Sequence, residues 1–164
     1  MSEDSEAAFN AIVGELDYPM LIVTAAAEDR IAGCLVGFAS QSSISPPRFT
    51  VNISDKNRTF EVACEADELA VHFLASDDDD LAELFGGETG HEVDKFKRVE
   101  WSATEAGTPL LERCPNRFVG RVLERQRTGD HVAFLLEPIA ARHTDEISMF
   151  PFHRAKRIDS GHDA

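Results

Sequence analysis

The residues best suited to chemistry in this chain are Lys56, Asn57, Arg58 and Thr59, which follow Ser54 at the end of an apolar run. Two cations, an amide and a hydroxyl at adjacent positions can surround one group of anionic oxygens, which is what a phosphate requires. The stretch SDKNRT on its own reads first as a solvated turn before a helix, and takes its meaning as an anion site only from what surrounds it. Upstream lies GCLVGFASQSSISPP, Gly33 to Pro47: an apolar run, a small polar loop around Ser40, Ser42 and Ser43, and a Pro46-Pro47 pair. Proline cannot continue a sheet ladder, so the chain must turn there before Arg48 to Ile53 leads back into the basic cluster. Loop and cluster are expected at one end of a sheet, where together they form a pocket.

Other chemical candidates carry less. HEVDK at 91 to 95 opens like a zinc-binding helix, but Lys95 stands where the second His is needed. Gly86, Gly87 and Gly90 lack a preceding strand and dinucleotide-loop spacing, and read as helix termination and a surface loop. The acidic run Ser76 to Asp80 complements the positive end of a following LAELF helix, with Ser76 and Asp79 at capping-box spacing, more simply than it binds a metal. Cys34, Cys64 and Cys114 are odd in number, far apart and without a C-x-x-C pair, so reduced thiols and no zinc site are expected. His72 sits inside an apolar strand and reads as a satisfied core histidine. Phe96 and Trp101 read as packing residues. His131 follows Thr128-Gly129-Asp130 and belongs at the rim of a hairpin.

The elements that position these residues follow from periodicity. Phe9, Ile12, Val13 and Leu16 share one face of a short helix over residues 6 to 16. Met20 to Ala25 and Ile31 to Phe38 are apolar, β-branched strands joined at Ala27 to Arg30. Arg48 to Ile53 is a strand with Phe49, Val51 and Ile53 on one face. Phe60 to Ala66 is a short helix capped by Asn57 or Thr59. Leu69 to Ala75 is a strand, Val99 to Ser102 a short one, and Thr108 to Leu111 a loop that inserts apolar residues. Arg117 to Arg127 and Val132 to Arg142 form a hairpin. From Thr144 onward periodicity is lost, though Met149, Phe150 and Phe152 can dock on the domain or on a partner subunit. Six strands with only short helices predict an all-β-dominated fold, a six-stranded antiparallel split β-barrel.

Length and charge bound the function. At 164 residues and 43% hydrophobic composition the chain fits one domain, its core at about residues 8 to 141 and a tail at 142 to 164. Thirty acidic against sixteen basic residues give a net charge of −14, a field that opposes nucleic acid and anionic membranes. A phosphorylated ligand must therefore meet a local site with its own donors. MSEDSEAA is not a secretory leader and no window reaches membrane-span length, so a cytoplasmic location is expected.

The order GCLVGFASQSSISPP, SDKNRT, LAVHFLA, GTPLL and GDHVAFLLEP, at this spacing, resembles the flavin reductase-like, FMN-binding split-barrel family over residues 8 to 141. The resemblance implies a homodimer that binds FMN and transfers hydride to it from NADH or NADPH, with a possible partner monooxygenase receiving reduced flavin. It implies ring contacts from Val36, Gly37, Phe38, Ala39 and Ser40, phosphate contacts from Ser54, Lys56, Asn57, Arg58 and Thr59, and His131 near the redox face as the catalytic side chain. The chain departs from the family at Leu35, Gly37 and Phe38, where small hydroxyl residues are usual, and at His72, where Asn is commoner. The alternative is a non-catalytic protein holding a flavin, haem or deazaflavin for storage or sensing.

Overall fold

The computed structural model describes residues 1–88, 92–144 and 146–159. Gly90 and His91, the latter opening the HEVDK stretch, lie outside the described residues. Among the described residues, nine strands and four short α-helices follow in chain order: α1 (Glu3–Gly14), β1 (Leu21–Ala27), β2 (Arg30–Val36), β3 (Ala39–Ser43), β4 (Arg48–Ser54), α2 (Arg58–Ala63), β5 (Glu68–Phe73), α3 (Asp79–Gly87), β6 (Trp101–Ala103), β7 (Pro109–Leu111), β8 (Arg117–Arg127), β9 (His131–Arg142) and α4 (Phe152–Ala155). Seven strands form one sheet in the order β2-β1-β5-β8-β9-β4-β3, and β6 and β7 pair separately. All of the pairings are antiparallel.

The fold is thus strand-dominated and antiparallel, as expected, but the main sheet has seven strands rather than six. The extra one is β3, whose Ser40, Gln41 and Ser42 are exposed on the edge of the sheet. No apolar alternation marks such a strand, and the sequence reads it as a polar loop. β7 is the second correction: Thr108 to Leu111 inserts apolar residues, but as a strand paired with β6.

The sheet buries both faces of its middle. On β1, Leu21, Val23 and Ala25 join a core with Val51, Ile53, Val71, Phe134 and Leu136. Ile22 and the preceding Met20 join a second core with Leu74, Leu81, Phe85, Leu111 and Phe150. α2 closes the first core with Val62 and Ala63, and its start is capped by Asn57, whose side-chain oxygen accepts from the Thr59 amide at 2.9 Å. α3 has no side-chain cap. Arginines take its acidic run instead: Arg113 meets Asp78 at 2.5 Å and Asp80 at 2.6 Å, and Arg154 pairs with Asp79. With three carboxylates crowding one helix end, guanidinium groups neutralise more charge than backbone amides can.

His72 holds the two cores together. It is fully buried, its Nδ1 lies 3.0 Å from the Ile22 carbonyl, and its Nε2 accepts from the Leu111 amide at 3.1 Å. The carbonyl can only accept and the amide only donate, so the ring is the neutral tautomer with its proton on Nδ1. It is the satisfied core histidine that the sequence predicts.

The helix at the N-terminus departs from expectation. It runs two to three residues earlier than its periodicity suggests, because Ser2 caps it by accepting from the Ser5 amide. Its apolar face belongs to neither core among the described residues: Phe9 is 55% and Ile12 65% exposed. The tail, by contrast, is built into the domain. Phe150 is fully buried, its amide donates to the Leu74 carbonyl, and its carbonyl accepts from Met20.

Candidate functional site

A cleft of about 250 Å3 opens where β2 ends, beside β4, the start of β9 and the C-terminal tail. Its geometry begins with β2. The β1–β2 ladder ends at the pair Leu21↔Val36, leaving Gly37 and Phe38 to turn the chain into β3. Asn52 fixes that turn: its backbone amide donates to the Phe38 carbonyl at 2.9 Å and its side-chain amide to the same oxygen at 3.0 Å. Gly37 allows the turn to lie against its neighbours, since a Cβ there would stand 2.9 Å from Tyr18 Cε2 and 3.1 Å from Met20 Sδ. The sequence places Gly37 and Phe38 at the end of a strand from Ile31 to Phe38, but they form a short tie between two strands.

On β4, Val51 and Ile53 point into the core, and Asn52 and Ser54 alternate with them on the cleft side. Ser54 pairs with His131, which starts β9, so the hairpin rim is drawn directly against the end of β4. The His131 ring is a quarter exposed, packs 5.2 Å from Phe38, and has Nδ1 2.7 Å from Asp130 Oδ1. That hydrogen bond holds the Asp130 carboxyl below its usual range. An ionised carboxylate only accepts, so Nδ1 carries a proton and Nε2 is left as the ring's other nitrogen.

Of the ten residues the sequence assigns to a cofactor, Val36, Gly37, Phe38, Ser54 and Asn57 line this cleft together with His131. Ala39 and Ser40 continue into β3, Ala39 opposite Val51 and Ser40 opposite Thr50. The Pro46-Pro47 turn lies at the other end of β3, away from the basic cluster, because Ser43 pairs with Arg48 there. Arg58 and Thr59 line a neighbouring cavity of about 400 Å3 that also takes in Arg30, Asp94 and Lys95. Thr59 is buried. Lys56 is exposed in the turn, close enough to Asp130 to act on its charge.

Lys95 lines the neighbouring cavity and reaches toward the cleft's Phe85. Its ammonium is almost wholly buried, donates to the Phe85 carbonyl at 3.1 Å and the Gly33 carbonyl at 3.3 Å, and is pushed down in pKa by that burial. It ties the end of α3 to β2 and so fixes Phe85, which lines the cleft.

The sequence misses one wall. Phe152, Ala155, Lys156 and Ile158 come from the tail, where periodicity is absent, and Phe85 and Gly86 from α3. Asn52 could have been found: in FTVNIS it alternates with core residues and shares its face with Ser54. The tail signals only its apolar residues, Met149, Phe150 and Phe152. Phe152 stacks on Tyr18 with ring centroids 4.4 Å apart, and Lys156 lies 4.8 Å over the Phe152 ring.

Comparison with known proteins bears on this site. The "FMN reductase (NADH) RutF" of Serratia proteamaculans is 24% identical over 138 residues, covering 84% of this chain and 78% of its own. A Rhizobium rhizogenes protein named "FMN reductase (NADH) RutF 2" is 30% identical over 118 residues, covering 69% and 67%. In fold, the Streptomyces globisporus NADH:FAD oxidoreductase SgcE6 superposes with a TM-score of 0.81 at 20% identity, over 98% of this chain and 92% of that one. The FMN-binding protein from Thermus thermophilus superposes with a TM-score of 0.71 at 27% identity, over 77% and 70%. The family model described as "Flavin reductase like domain" matches residues 13–157, a span that takes in every wall of the cleft except Ile158, and the chain belongs to that family.

Proposed function

We propose that the protein is an NADH-dependent flavin reductase that binds FMN in this cleft. The observation that carries the reading is the convergence of the Val36–Phe38 turn, the Asn52 and Ser54 face of β4, and His131 on one cleft in a chain of this family. The residues present suit a flavin. A flat ring with one polar edge needs an apolar wall and a row of donors. Phe38, Phe152 and Ile158 supply the first, and Asn52, Ser54, Asn57 and His131 the second.

The hydride chemistry, once flavin is bound, is the flavin's own. The chain's part is to hold and polarise. Asn52 locks the Phe38 carbonyl, and so sets which way the Gly37–Phe38 amides face. Asp130 fixes the tautomer and orientation of His131, whose Nε2 is the group we assign to holding or releasing a proton at the ring edge. A donor held there favours the charged, reduced state more than the starting one, so its effect falls on rate. Asn57 divides its side chain between capping α2 and facing the cleft.

The functional unit we propose is a homodimer of split-barrel subunits, located in the cytoplasm. The exposed face of α1 supports it, as does a hollow of about 480 Å3 with Phe73, Phe118, Ile147 and Met149 in its lining. Both would gain by meeting a second copy. No described helix is long and apolar enough to cross a membrane. Cys34, Cys64 and Cys114 are all free thiols, which suits a reducing compartment. Release of reduced flavin to a partner monooxygenase belongs to the same proposal.

The test is the absorbance spectrum of the protein mixed with FMN, followed by NADH or NADPH under anaerobic conditions. Bleaching of the flavin bands, faster with NADH, is expected. Bands that persist with both nucleotides would replace the reductase by a flavin-binding protein.

A further inference from the structure

Flavin reduction by a nicotinamide dinucleotide brings two anions to one cleft, the flavin phosphate and the dinucleotide's diphosphate. The family resemblance assigns the first to the loop between β4 and α2, which presents Ser54 and Asn57 to the cleft. The molecule carries a net charge of −14, yet no carboxylate lines the cleft among the described residues. The lining includes a single Lys or Arg among those residues, Lys156, from the tail. We propose that Lys156 engages the second anion, the diphosphate of NADH. The inference rests on the reading of the cleft as a flavin reductase site and names a side chain that favours a dinucleotide over a hydride donor without phosphate.

The order of contacts along the cleft separates the two positions. His131 pairs with Ser54 at the end of β4, and its ring packs 5.2 Å from Phe38. Phe38 lies 6.4 Å from Tyr18, Tyr18 stacks on Phe152 at 4.4 Å, and the Lys156 ammonium lies 4.8 Å over the Phe152 ring. Lys156 and the β4–α2 loop thus stand at the two ends of one series of side chains. Hydride transfer needs the nicotinamide ring against the flavin ring, with the reacting atoms about 3 to 3.5 Å apart. The diphosphate, one ribose away from that ring, must then leave by a side that the flavin phosphate does not take, because the two anions repel. The tail offers that side and a cation whose field no acid in the lining cancels. The ammonium is also held in place: it donates to the Gly14 carbonyl at 2.6 Å, which uses one of its three protons and leaves the others for phosphate oxygens. Its segment is anchored by the Phe152 amide on the Tyr18 carbonyl and by Arg154 on the Ser76 carbonyl and Asp79. The competing role for Lys156 is purely structural: it caps the C-terminal end of α1, whose last turn carries no basic residue of its own. Capping alone would be indifferent to which hydride donor is offered.

The experiment uses the FMN-loaded protein as wild type, Lys156→Gln and Lys156→Arg. Calorimetry reads the affinity for NAD+, which delivers no hydride, and steady-state kinetics compare NADH with N-benzyl-dihydronicotinamide, a hydride donor without phosphate. Lys156→Gln should weaken NAD+ binding and raise the KM for NADH by about tenfold to a hundredfold, as expected for one lost charge-assisted contact. FMN affinity, read by fluorescence quenching, and the kinetics with the benzyl donor should stay within about twofold, and Lys156→Arg should recover most of the NAD+ affinity. Added salt should raise the wild-type KM for NADH far more than that for the benzyl donor. Unchanged NAD+ affinity and NADH KM in Lys156→Gln, or equal losses with both donors, overturn the inference while leaving the flavin site standing. So does a loss of FMN affinity that accounts for the whole kinetic defect. Should Lys156→Gln fail to fold, Lys156→Arg and the wild-type salt titration decide: the same salt dependence for both donors overturns it. A wild type that binds no FMN, or whose flavin neither donor reduces, removes the functional reading and this inference together.

Discussion

Lowering the pH from 7.5 to 4 should destabilise this protein through His72 in particular. The ring is buried between Ile22 and Leu111, and burial, outweighing the favourable Ile22 carbonyl, with Arg117 adding to the effect, drops its pKa to about 4. In the unfolded chain the same imidazole titrates near 6.5. Between these values the unfolded state binds a proton that the folded state refuses, so stability rises with pH across the window. The penalty is absent above about pH 6.5, grows as pH falls through that value, and is complete below about pH 4. A difference of this size corresponds to about 3 kcal/mol, at about 1.4 kcal/mol per unit. Urea unfolding midpoints at half-unit pH steps measure it, with His72→Gln as the reference that lacks the titration but keeps one donor and one acceptor. The wild type should start more stable at pH 7.5, because truncating a buried, doubly bonded side chain costs about 1 to 3 kcal/mol. The two curves should then converge toward pH 4. Curves that stay parallel from 7.5 to 4 would show that His72 is not the buried neutral group described.

Three further outcomes are expected. Gly37→Ala should lose about 1 to 3 kcal/mol of stability, because its Cβ would press on Tyr18 and Met20. The same variant should weaken FMN binding at least several-fold as the turn shifts; calorimetry and fluorescence titration check both. His131→Ala should leave FMN affinity nearly unchanged and slow anaerobic flavin reduction by about ten to a thousandfold, read by rapid mixing; an unchanged rate would make His131 a turn residue only. Arg113→Ala should cost about 1 to 2 kcal/mol, a discounted figure because its guanidinium is half exposed. Hydrogen bonding to Arg113 holds the Asp80 carboxyl low, a contribution present above the ordinary carboxylate pKa and lost as pH falls through the folded value. Thermal melts at pH 7 and pH 3 should show the variant's deficit shrinking in acid.

The sequence reveals those parts of the fold whose burial has a period. β1, β4 and β5, and the β8–β9 hairpin, carry alternating or continuous apolar runs and sit where the pattern puts them. β3 escapes because Ala39 packs on the core while Ser40, Gln41 and Ser42 after it are exposed along the sheet edge, leaving no apolar alternation. α1 misleads for the opposite reason: its apolar stripe is real, but periodicity states that a face needs cover, not which surface supplies it. The site divides along the same line. Ser54, Asn57 and His131 are legible because each terminates a periodic element at a turn. Phe152 and Lys156 are not, because they reach the cleft through main-chain bonds from Tyr18 and Met20 to the tail, which leave no trace in side-chain type.

That last point bears on how the cleft is assembled. Its floor belongs to the sheet, and one wall belongs to a segment added after the sheet is complete, joined at Ala75↔Met149 and Pro19↔Pro151. Arg154 of that segment donates to the Ser76 carbonyl and pairs with Asp79 at the start of α3, while Lys95 ties the other end of α3 to β2. Tail, α3 and β2 are therefore mechanically one unit around the cleft. The turn at Gly37–Phe38 is fixed separately, by Asn52 from β4. The two sides meet at Tyr18, which lies against Gly37 and stacks on Phe152, but Asn52 and Arg154 share no contact, so substitutions at these two positions should be additive in stability. Any coupling between Asn52→Ala and Arg154→Ala that appears only when FMN is present must then run through the ligand, so a double-mutant cycle with and without FMN would locate the flavin between them. Additive effects in both conditions would place it elsewhere.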